Sequence, residues 1–244
     1  MVTTEEEHLC AFLREFSIQR PRWGWRRAAT AAREHGFCVN HKRIQRLWRQ
    51  EGPKVPYRKR KRPLRGIGIH VGAMSPIAPN AIWACDFQFD VTSKGRTIKL
   101  LNVVDEFTRE CLAIVVDRSI DADKVVATVD RLALERGAPA FVRFDNGPEF
   151  VAHAVDDWCR FDGTGSLFID PGSPWQNPSI ESFNERLRDE FLNAWQFDSY
   201  LEVKMLIEDW RIDYNVNRPH SSLGQRTPAA FRQEWQDQRQ PALA

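Results

Sequence analysis

Three carboxylates of the sequence stand where a site for divalent cations would need them. Asp86 interrupts an apolar run, Asp145 follows another apolar run, and Glu181 begins a helical pattern after a Pro-rich segment. A buried carboxylate is costly unless it is paired or binds a cation, and hard cations such as Mg²⁺ prefer oxygen ligands. Two such ions can stabilise both the attacking and the leaving oxygen at a phosphodiester. The three residues therefore suggest a catalytic site for two Mg²⁺ or Mn²⁺ ions.

Each carboxylate also has an ordinary structural interpretation. Asp145, before an Asn-Gly pair, would be a turn residue. Glu181 would be a helix-start charge favoured by the dipole, and Asp86 would be the partner of an arginine. Their combination favours the metal site. Zinc is not expected, because the five cysteines form no C-x-x-C pair and one cluster offers only three of the four usual ligands, His35, Cys38 and His41.

The elements that must position these residues follow from the hydrophobic pattern. Strands are predicted at 81–91, 97–104, 110–116, 140–144 and 166–169, and helices at 121–136, 149–160, 179–192 and 202–214. A three-strand meander followed by alternating helices and strands predicts an α/β fold, a mixed five-stranded sheet flanked by helices as in ribonuclease H. Asp86 then lies inside the first strand, and Asp145 at the carboxyl end of the fourth, where ligands collect.

The first 52 residues predict a small, all-α module. Helices are expected at 4–16 and 23–35, and a third follows the Asn40 cap and ends before Gly52. The third helix is expected to bury Ile44, Leu47 and Trp48, and its basic residues point away from this buried stripe. Two helices joined by a short turn, the second of them basic, fit a helix-turn-helix. The alternative is a solvated basic helix in a small bundle.

Charge is distributed unevenly along the chain. Residues 1–65 carry 17 Lys/Arg and 6 Asp/Glu, whereas residues 66–244 carry 18 and 27. Seven of the basic residues lie in 53–65, a segment without apolar periodicity. We interpret it as an extended arm that contacts the phosphates of a nucleic acid. The alternative is a charge run that is merely solvated. The residues expected to contact DNA from these two segments are Lys42, Arg43, Arg46, Arg58, Lys59 and Arg60.

The same features set the expected organisation of the chain. We expect a helical module at 1–52, a basic and Gly/Pro-rich linker at 53–80, a catalytic core with C-terminal helices at 81–235 and a tail at 236–244. No apolar run approaches the ~18 residues of a membrane span, and the acidic N-terminus is unlike a signal peptide. The expected location is therefore the bacterial cytoplasm, at the nucleoid, without a membrane partner.

Long motifs along the chain resemble one family. The sequence is similar, over about residues 20 to 232, to the OrfB transposases of bacterial insertion sequences (the IS-three-type family), which have the DDE catalytic core of the retroviral-integrase superfamily. The motifs that carry the resemblance are Leu101–Glu110, Asp145–Phe150, Pro171–Asn177, Glu181–Asn184 and Asn217–Gly224, with Trp23–Arg27 and Val39–Arg43 in the helix-turn-helix-like segment.

The resemblance implies a function and roles for residues. Asp86, Asp145 and Glu181 would be the metal-binding catalytic triad, and Arg188 would contact DNA near the reacting phosphate. The activity would be cleavage of double-stranded DNA at transposon ends, followed by strand transfer to target DNA. A homo-oligomer on DNA and an upstream OrfA-type partner or fusion are also implied. The alternatives are a ribonuclease-H-like nuclease and a catalytically weakened relict that only binds DNA.

Two positions depart from the family pattern. Ser179 stands where the family commonly has a large apolar residue, and Glu185 where it has a small one. A serine beside the catalytic glutamate is expected to loosen the loop that orients it. The charge of Glu185, one turn from Glu181, is expected to raise the pKa of Glu181 or to repel DNA.

Overall fold

The computed structural model describes residues 4–51, 75–144, 153–168 and 177–239. The chain divides into two compact units, residues 1–70 and 71–244. Four of the expected site residues lie outside the described part of the chain: Asp145, Arg58, Lys59 and Arg60.

The first unit contains the three predicted helices. They are α1 (Thr4–Gln19), α2 (Trp25–Glu34) and α3 (His41–Glu51). The side chain of Asn40 accepts a hydrogen bond of 2.9 Å from the backbone N–H of Arg43, which is the predicted cap of α3. Gly36, with φ +90°, allows the tight turn between α2 and α3. The apolar stripes of the helices meet in one core that includes Leu9, Leu13, Ala28, Ala32, Ile44, Leu47 and Trp48.

The second unit contains a five-stranded sheet of order β3-β2-β1-β4-β5. The strands are β1 (Ile82–Val91), β2 (Thr97–Asp105), β3 (Cys111–Asp117), β4 (Phe141–Phe144) and β5 (Gly165–Phe168). The first three pair antiparallel, and β4 pairs parallel with β1 and β5. The predicted mixed sheet is confirmed.

Helices cover both faces of this sheet. They are α4 (Ala122–Arg136), α5 (His153–Phe161), α6 (Pro178–Leu187), a π-helical segment (Arg188–Leu192), α7 (Tyr200–Val216), a 3₁₀ turn (Ser221–Leu223) and α8 (Pro228–Asp237). In the described part of the chain, no helix has the length and apolar character to cross a membrane.

The C-terminal part differs from the prediction in two respects. The helix expected over 179–192 is α-helical only to Leu187, because a π-helical turn follows and buries Phe191 and Leu192. The expectation of two final helices is wrong, since α8 is a third and runs into the expected tail. The side chain of Thr227 caps α8, and Pro228 occupies its first turn, a start signal that the sequence does contain.

Alternation along β1 assigns its side chains to two cores. Trp83 and Cys85 pack with α4 and α5 on one face, whereas Ala84 packs with α6 and α7 on the other. Because successive residues of a strand point to opposite faces, Asp86 lies on the face that α6 covers.

Candidate functional site

Asp86 lies near the middle of β1, half-buried, with α6 beside it. Its Oδ2 accepts a hydrogen bond of 2.6 Å from the side-chain amide of Asn184 on α6. Its Oδ1 accepts one of 2.8 Å from the backbone N–H of Phe87. The carboxylate is therefore held in one orientation by the helix and by its own strand.

Two further amides extend this contact into the sheet. Asn102 of β2, directly opposite Asp86 in the antiparallel register, is fully buried. Its amide donates to the side-chain oxygen of Asn184 at 2.7 Å and to that of Gln88 at 3.3 Å. Gln88 in turn donates to the Asn184 backbone carbonyl at 3.1 Å. Because the buried Asn102 amide N–H groups find their acceptors on α6 and β1, this network fixes α6 against β1.

Sequence reasoning gave no role to these three amides. Asn184 belongs to a motif that carries the resemblance, but only Glu181 was singled out from it. Asn102 carried the same signal as Asp86, a polar residue inside an otherwise apolar strand. The alternation that places Asp86 on one face of the sheet could have placed Asn102 beside it.

Glu181 lies in the first turn of α6, three residues before Asn184. Residues three apart are neighbours on one face of a helix, with a rise of about 4.5 Å between them. Since Asn184 touches Asp86, the structure places Glu181 about one helical turn from the residue that contacts Asp86. Burial, and then the charge of Glu185, raises the pKa of the Glu181 carboxyl from its ordinary value of 4.5.

The third carboxylate of the expected triad, Asp145, lies outside the described residues. Within them, no three His, Cys, Asp or Glu side chains form a group that could hold a metal ion. The strand that precedes Asp145 is β4, which belongs to the described residues. β4 runs parallel to β1 and pairs Arg143 with Ala84, two residues before Asp86.

The chemistry of Asp86 and Glu181 fits a hard divalent cation. Both offer carboxylate oxygens, the ligands that Mg²⁺ prefers. A carboxylate oxygen has two lone pairs, so a carboxylate that accepts hydrogen bonds can also bind a cation. Burial and Glu185 both disfavour the ionised form of Glu181, and a bound cation would relieve this cost.

Glu185→Gln is expected to lower the pKa of Glu181, because burial and the charge of Glu185 both raise it and the variant removes that charge. A carboxyl whose pKa is higher in the folded state than in the unfolded state loses stability as the pH rises from 4.5 through the folded value. The variant should therefore unfold at a higher temperature than the wild type at neutral pH. Carbon NMR titration of Glu181 in metal-free protein, with thermal unfolding at several pH values, measures both effects.

A suitable control is Glu135→Gln, which removes an exposed carboxylate of α4 that pairs with Arg131. Because α4 covers the other face of the sheet, this change should leave the titration of Glu181 where it is. An unaltered Glu181 titration in Glu185→Gln would show that burial alone raises the pKa.

The basic residues expected to contact DNA have different surroundings. Arg188, at the start of the π-helical segment, donates to the backbone carbonyl of Phe89 on β1 at 2.5 Å. In the first unit, Lys42 is exposed. Arg43 and Arg46 both pair with Glu6 of α1, at 2.8 and 3.1 Å, and Arg43 is the more buried of the two.

Comparison with protein families matches both units of the chain. A model of an HTH-like domain matches residues 6–61. Models of an integrase core domain match residues 76–174 and 163–228. These matches support the helix-turn-helix-like module and the integrase core.

Curated relatives align along nearly the whole chain. An uncharacterized 31.7 kDa protein of insertion element IS407 from Burkholderia multivorans is 42% identical over 93% of this chain and 81% of the relative. A protein of insertion element IS476 from Xanthomonas euvesicatoria is 42% identical over 97% of this chain and 68% of the relative. The transposase of insertion sequence element IS904 from Lactococcus lactis is 25% identical over 88% of this chain and 89% of the relative.

Solved structures share the fold over much of this chain. The simian T-cell lymphotropic virus intasome superposes with a TM-score of 0.55 at 16% identity, over 70% of this chain and 58% of that one. The HTLV-2 integrase catalytic core domain, solved in complex with magnesium, superposes with a TM-score of 0.51 at 17% identity, over 64% of this chain and 98% of that one. The expected ribonuclease-H-like integrase fold is confirmed.

Proposed function

We propose a function from one premise: the chain belongs to the integrase-core transposases of bacterial insertion elements. The proposed activity is divalent-metal-dependent cleavage of DNA at transposon ends, followed by strand transfer to a target. The observation that carries it is the contact between Asp86 and Asn184, because it brings α6, the helix that bears Glu181, against the strand that bears Asp86. Two elements from distant parts of the sequence, each bearing one of the proposed carboxylates, are thus held together by one network.

The side chains have separate roles in this proposal. Asp86, Asp145 and Glu181 would hold the ions, Mg²⁺ or Mn²⁺, which when bound would stabilise charge on the attacking and leaving oxygens of the phosphodiester. Asn184 keeps the Asp86 carboxylate in a constant orientation, which positions a ligand before substrate arrives. Arg188 would contact DNA, either after its hydrogen bond to the Phe89 carbonyl breaks or while that bond is kept.

The first unit would supply DNA affinity. Its HTH-like domain and the excess of basic residues in 1–65 support contact with phosphates. Lys42 is exposed, whereas the pairing of Arg43 and Arg46 with Glu6 reduces the charge that each offers to DNA. A homo-oligomer on DNA and an upstream OrfA-type partner remain predictions from the family.

Replacement of Arg58, Lys59 and Arg60 together by alanine is expected to weaken nonspecific DNA binding. Removal of one phosphate-binding cation should reduce the slope of log affinity against log salt by about 0.9, so the triple change should reduce it by roughly 2 to 3. Fluorescence anisotropy at several salt concentrations measures the slope. Arg43→Ala is the comparison, because Glu6 already pairs with Arg43, and its change in slope should be under about 1. An unaltered slope in the triple variant would show that the arm is only solvated.

The proposed activity is tested with DNA that carries the terminal repeats of the element. The purified full chain is incubated with labelled end DNA and a supercoiled target, with Mg²⁺, with Mn²⁺ or with EDTA. We expect metal-dependent cleavage at the end and joined products. Cleavage without joining would support a hydrolytic nuclease instead, and DNA binding without cleavage would support a relict.

A further inference from the structure

The turn between β2 and β3, Asp105–Glu110, concentrates charged groups in the interior. Asp105, Glu106 and Glu110 are 2%, 3% and 4% exposed. Burial raises the pKa of the carboxyls of both Asp105 and Glu106. Acidic residues are rarely this buried unless they are paired. The buried charges of this turn therefore require partners in the surrounding elements.

The turn is fixed internally and to α4. The Asp105 carboxylate accepts hydrogen bonds from the backbone N–H groups of Asn80, Phe107 and Thr108, at 2.7 to 2.9 Å. Both oxygens of Glu110 accept from the Arg136 guanidinium, at 2.9 and 3.0 Å. A turn with this many charge-assisted bonds is a rigid base for the residues between.

Glu106 connects the turn to β4. Its Oε1 lies 3.3 Å from Nε of Arg143, and both side chains are buried, at 4% and 7% exposure. Arg143 is the penultimate residue of β4, two positions before Asp145. The turn therefore contacts the strand that leads to the second expected carboxylate.

Arg109 connects the turn to α6. Its guanidinium Nη1 donates to the hydroxyl of Ser179, which is 8% exposed and lies two residues before Glu181. Arg109 has φ +61°, a left-handed conformation that non-glycine residues seldom adopt, and its N–H donates to the Asp105 carbonyl at 2.9 Å. The backbone of the turn thus aims the side chain at the first turn of α6.

We propose that Arg109 is a positioning residue that fixes the first turn of α6 through the Ser179 hydroxyl and so holds Glu181 in register with Asp86. This inference rests on the proposed function, because it takes Glu181 as catalytic. Small displacements of a catalytic group reduce rates strongly. Ser179, expected to loosen this region, instead gives it a hydrogen-bonded attachment.

The conformation of Arg109 makes a clean variant possible. Arg109→Gly removes the guanidinium and leaves a residue that adopts positive φ without strain. Ser179→Ala removes only the accepting hydroxyl. Gln225→Gly is the matched control, because Gln225 also has a left-handed φ, +68°, and is exposed. The full chain is used for all variants and for the Arg109→Gly/Ser179→Ala pair.

Two measurements decide the proposal. In metal-free protein, hydrogen exchange of the Glu181–Asn184 amides should be about tenfold faster in each single variant than in the wild type. In the presence of metal, end cleavage should be about tenfold slower. Both factors are of the size expected when a charge-assisted hydrogen bond is removed. The paired variant should resemble Arg109→Gly, since the contact that Ser179→Ala removes is already absent there. Gln225→Gly should match the wild type in both measurements.

Other outcomes overturn the proposal. Unchanged α6 exchange in both single variants, or effects that multiply in the pair, would show that the contact positions nothing. If Arg109→Gly fails to fold, Ser179→Ala decides alone. A wild type without cleavage activity defeats the proposed function, whereas the exchange data still decide the role of Arg109.

Discussion

Asp86→Asn and Asp145→Asn are each expected to reduce end cleavage on the order of 10³-fold or more, while the protein stays folded and binds DNA. Metal ions supply most of the charge stabilisation in phosphoryl transfer, and removing a single stabilising group in other active sites already costs 10²–10³-fold. Asparagine keeps the size of the side chain and removes the charge that the cation needs.

The contact with Asn184 predicts the stability of Asp86→Asn. The amide oxygen introduced at position 86 can accept either the bond that Asn184 now donates to Oδ2 at 2.6 Å or the bond that Phe87 donates to Oδ1 at 2.8 Å, but not both. Loss of one such bond costs about 0.5–1.5 kcal/mol, whereas removal of a negative charge would relieve repulsion within the proposed triad in the metal-free protein. Thermal unfolding in EDTA should therefore show a Tm close to that of the wild type.

Asp90→Asn is the matched control for this pair. Asp90 lies four residues along β1, on the same face of the strand, and its carboxylate accepts only a local bond of 2.9 Å from Val91 among the contacts described. We expect near-wild-type cleavage. If Asp86→Asn unfolds the domain, or if either variant cleaves normally, the residue concerned is structural and its catalytic role is wrong.

Arg218→Met is expected to have the largest effect on stability. Arg218 makes a two-point contact with Glu190 of the π-helical segment, at 2.8 and 2.9 Å, and the side chains are 3% and 7% exposed. Removal of Arg218 takes both of these charge-assisted bonds from a buried carboxylate, and breaking a buried pair in this way costs about 3–5 kcal/mol. For a domain of this size, Tm should fall on the order of 10 °C.

The test of this pair needs two comparisons. Arg131→Met breaks an exposed pair with Glu135, whose side chains are 53% and 51% exposed, and should change stability by less than about 1 kcal/mol. The double variant Glu190→Gln/Arg218→Met should recover much of the stability, because it removes the buried charge. Calorimetric unfolding of metal-free protein measures the stability of all three variants. A small decrease in the stability of Arg218→Met would show that Glu190 is held by its other contacts.

The sequence by itself determined the local elements and the residues that interrupt them. Alternation predicted the five strands to within a residue or two at most ends, because burial of one or both faces imposes the pattern. The Asn40 cap predicted the start of α3. The cost of a charge inside an apolar strand singled out Asp86 before any partner was known.

Only the tertiary structure decided which side chains meet. The sequence places Asp86 and Ala84 on one face of β1. Helices with apolar stripes cover both faces of the sheet, so the sequence does not predict which helix packs against that face. The contact of Asp86 with Asn184 spans 98 positions, and that of Arg109 with Ser179 spans 70. The pairing of Arg43 with Glu6 spans 37 positions. It directs the side chain of Arg43, which was expected to contact DNA, toward α1. Such contacts depend on the path of the chain between elements, because packing of whole helices against the sheet, and not local propensity, brings their polar groups together.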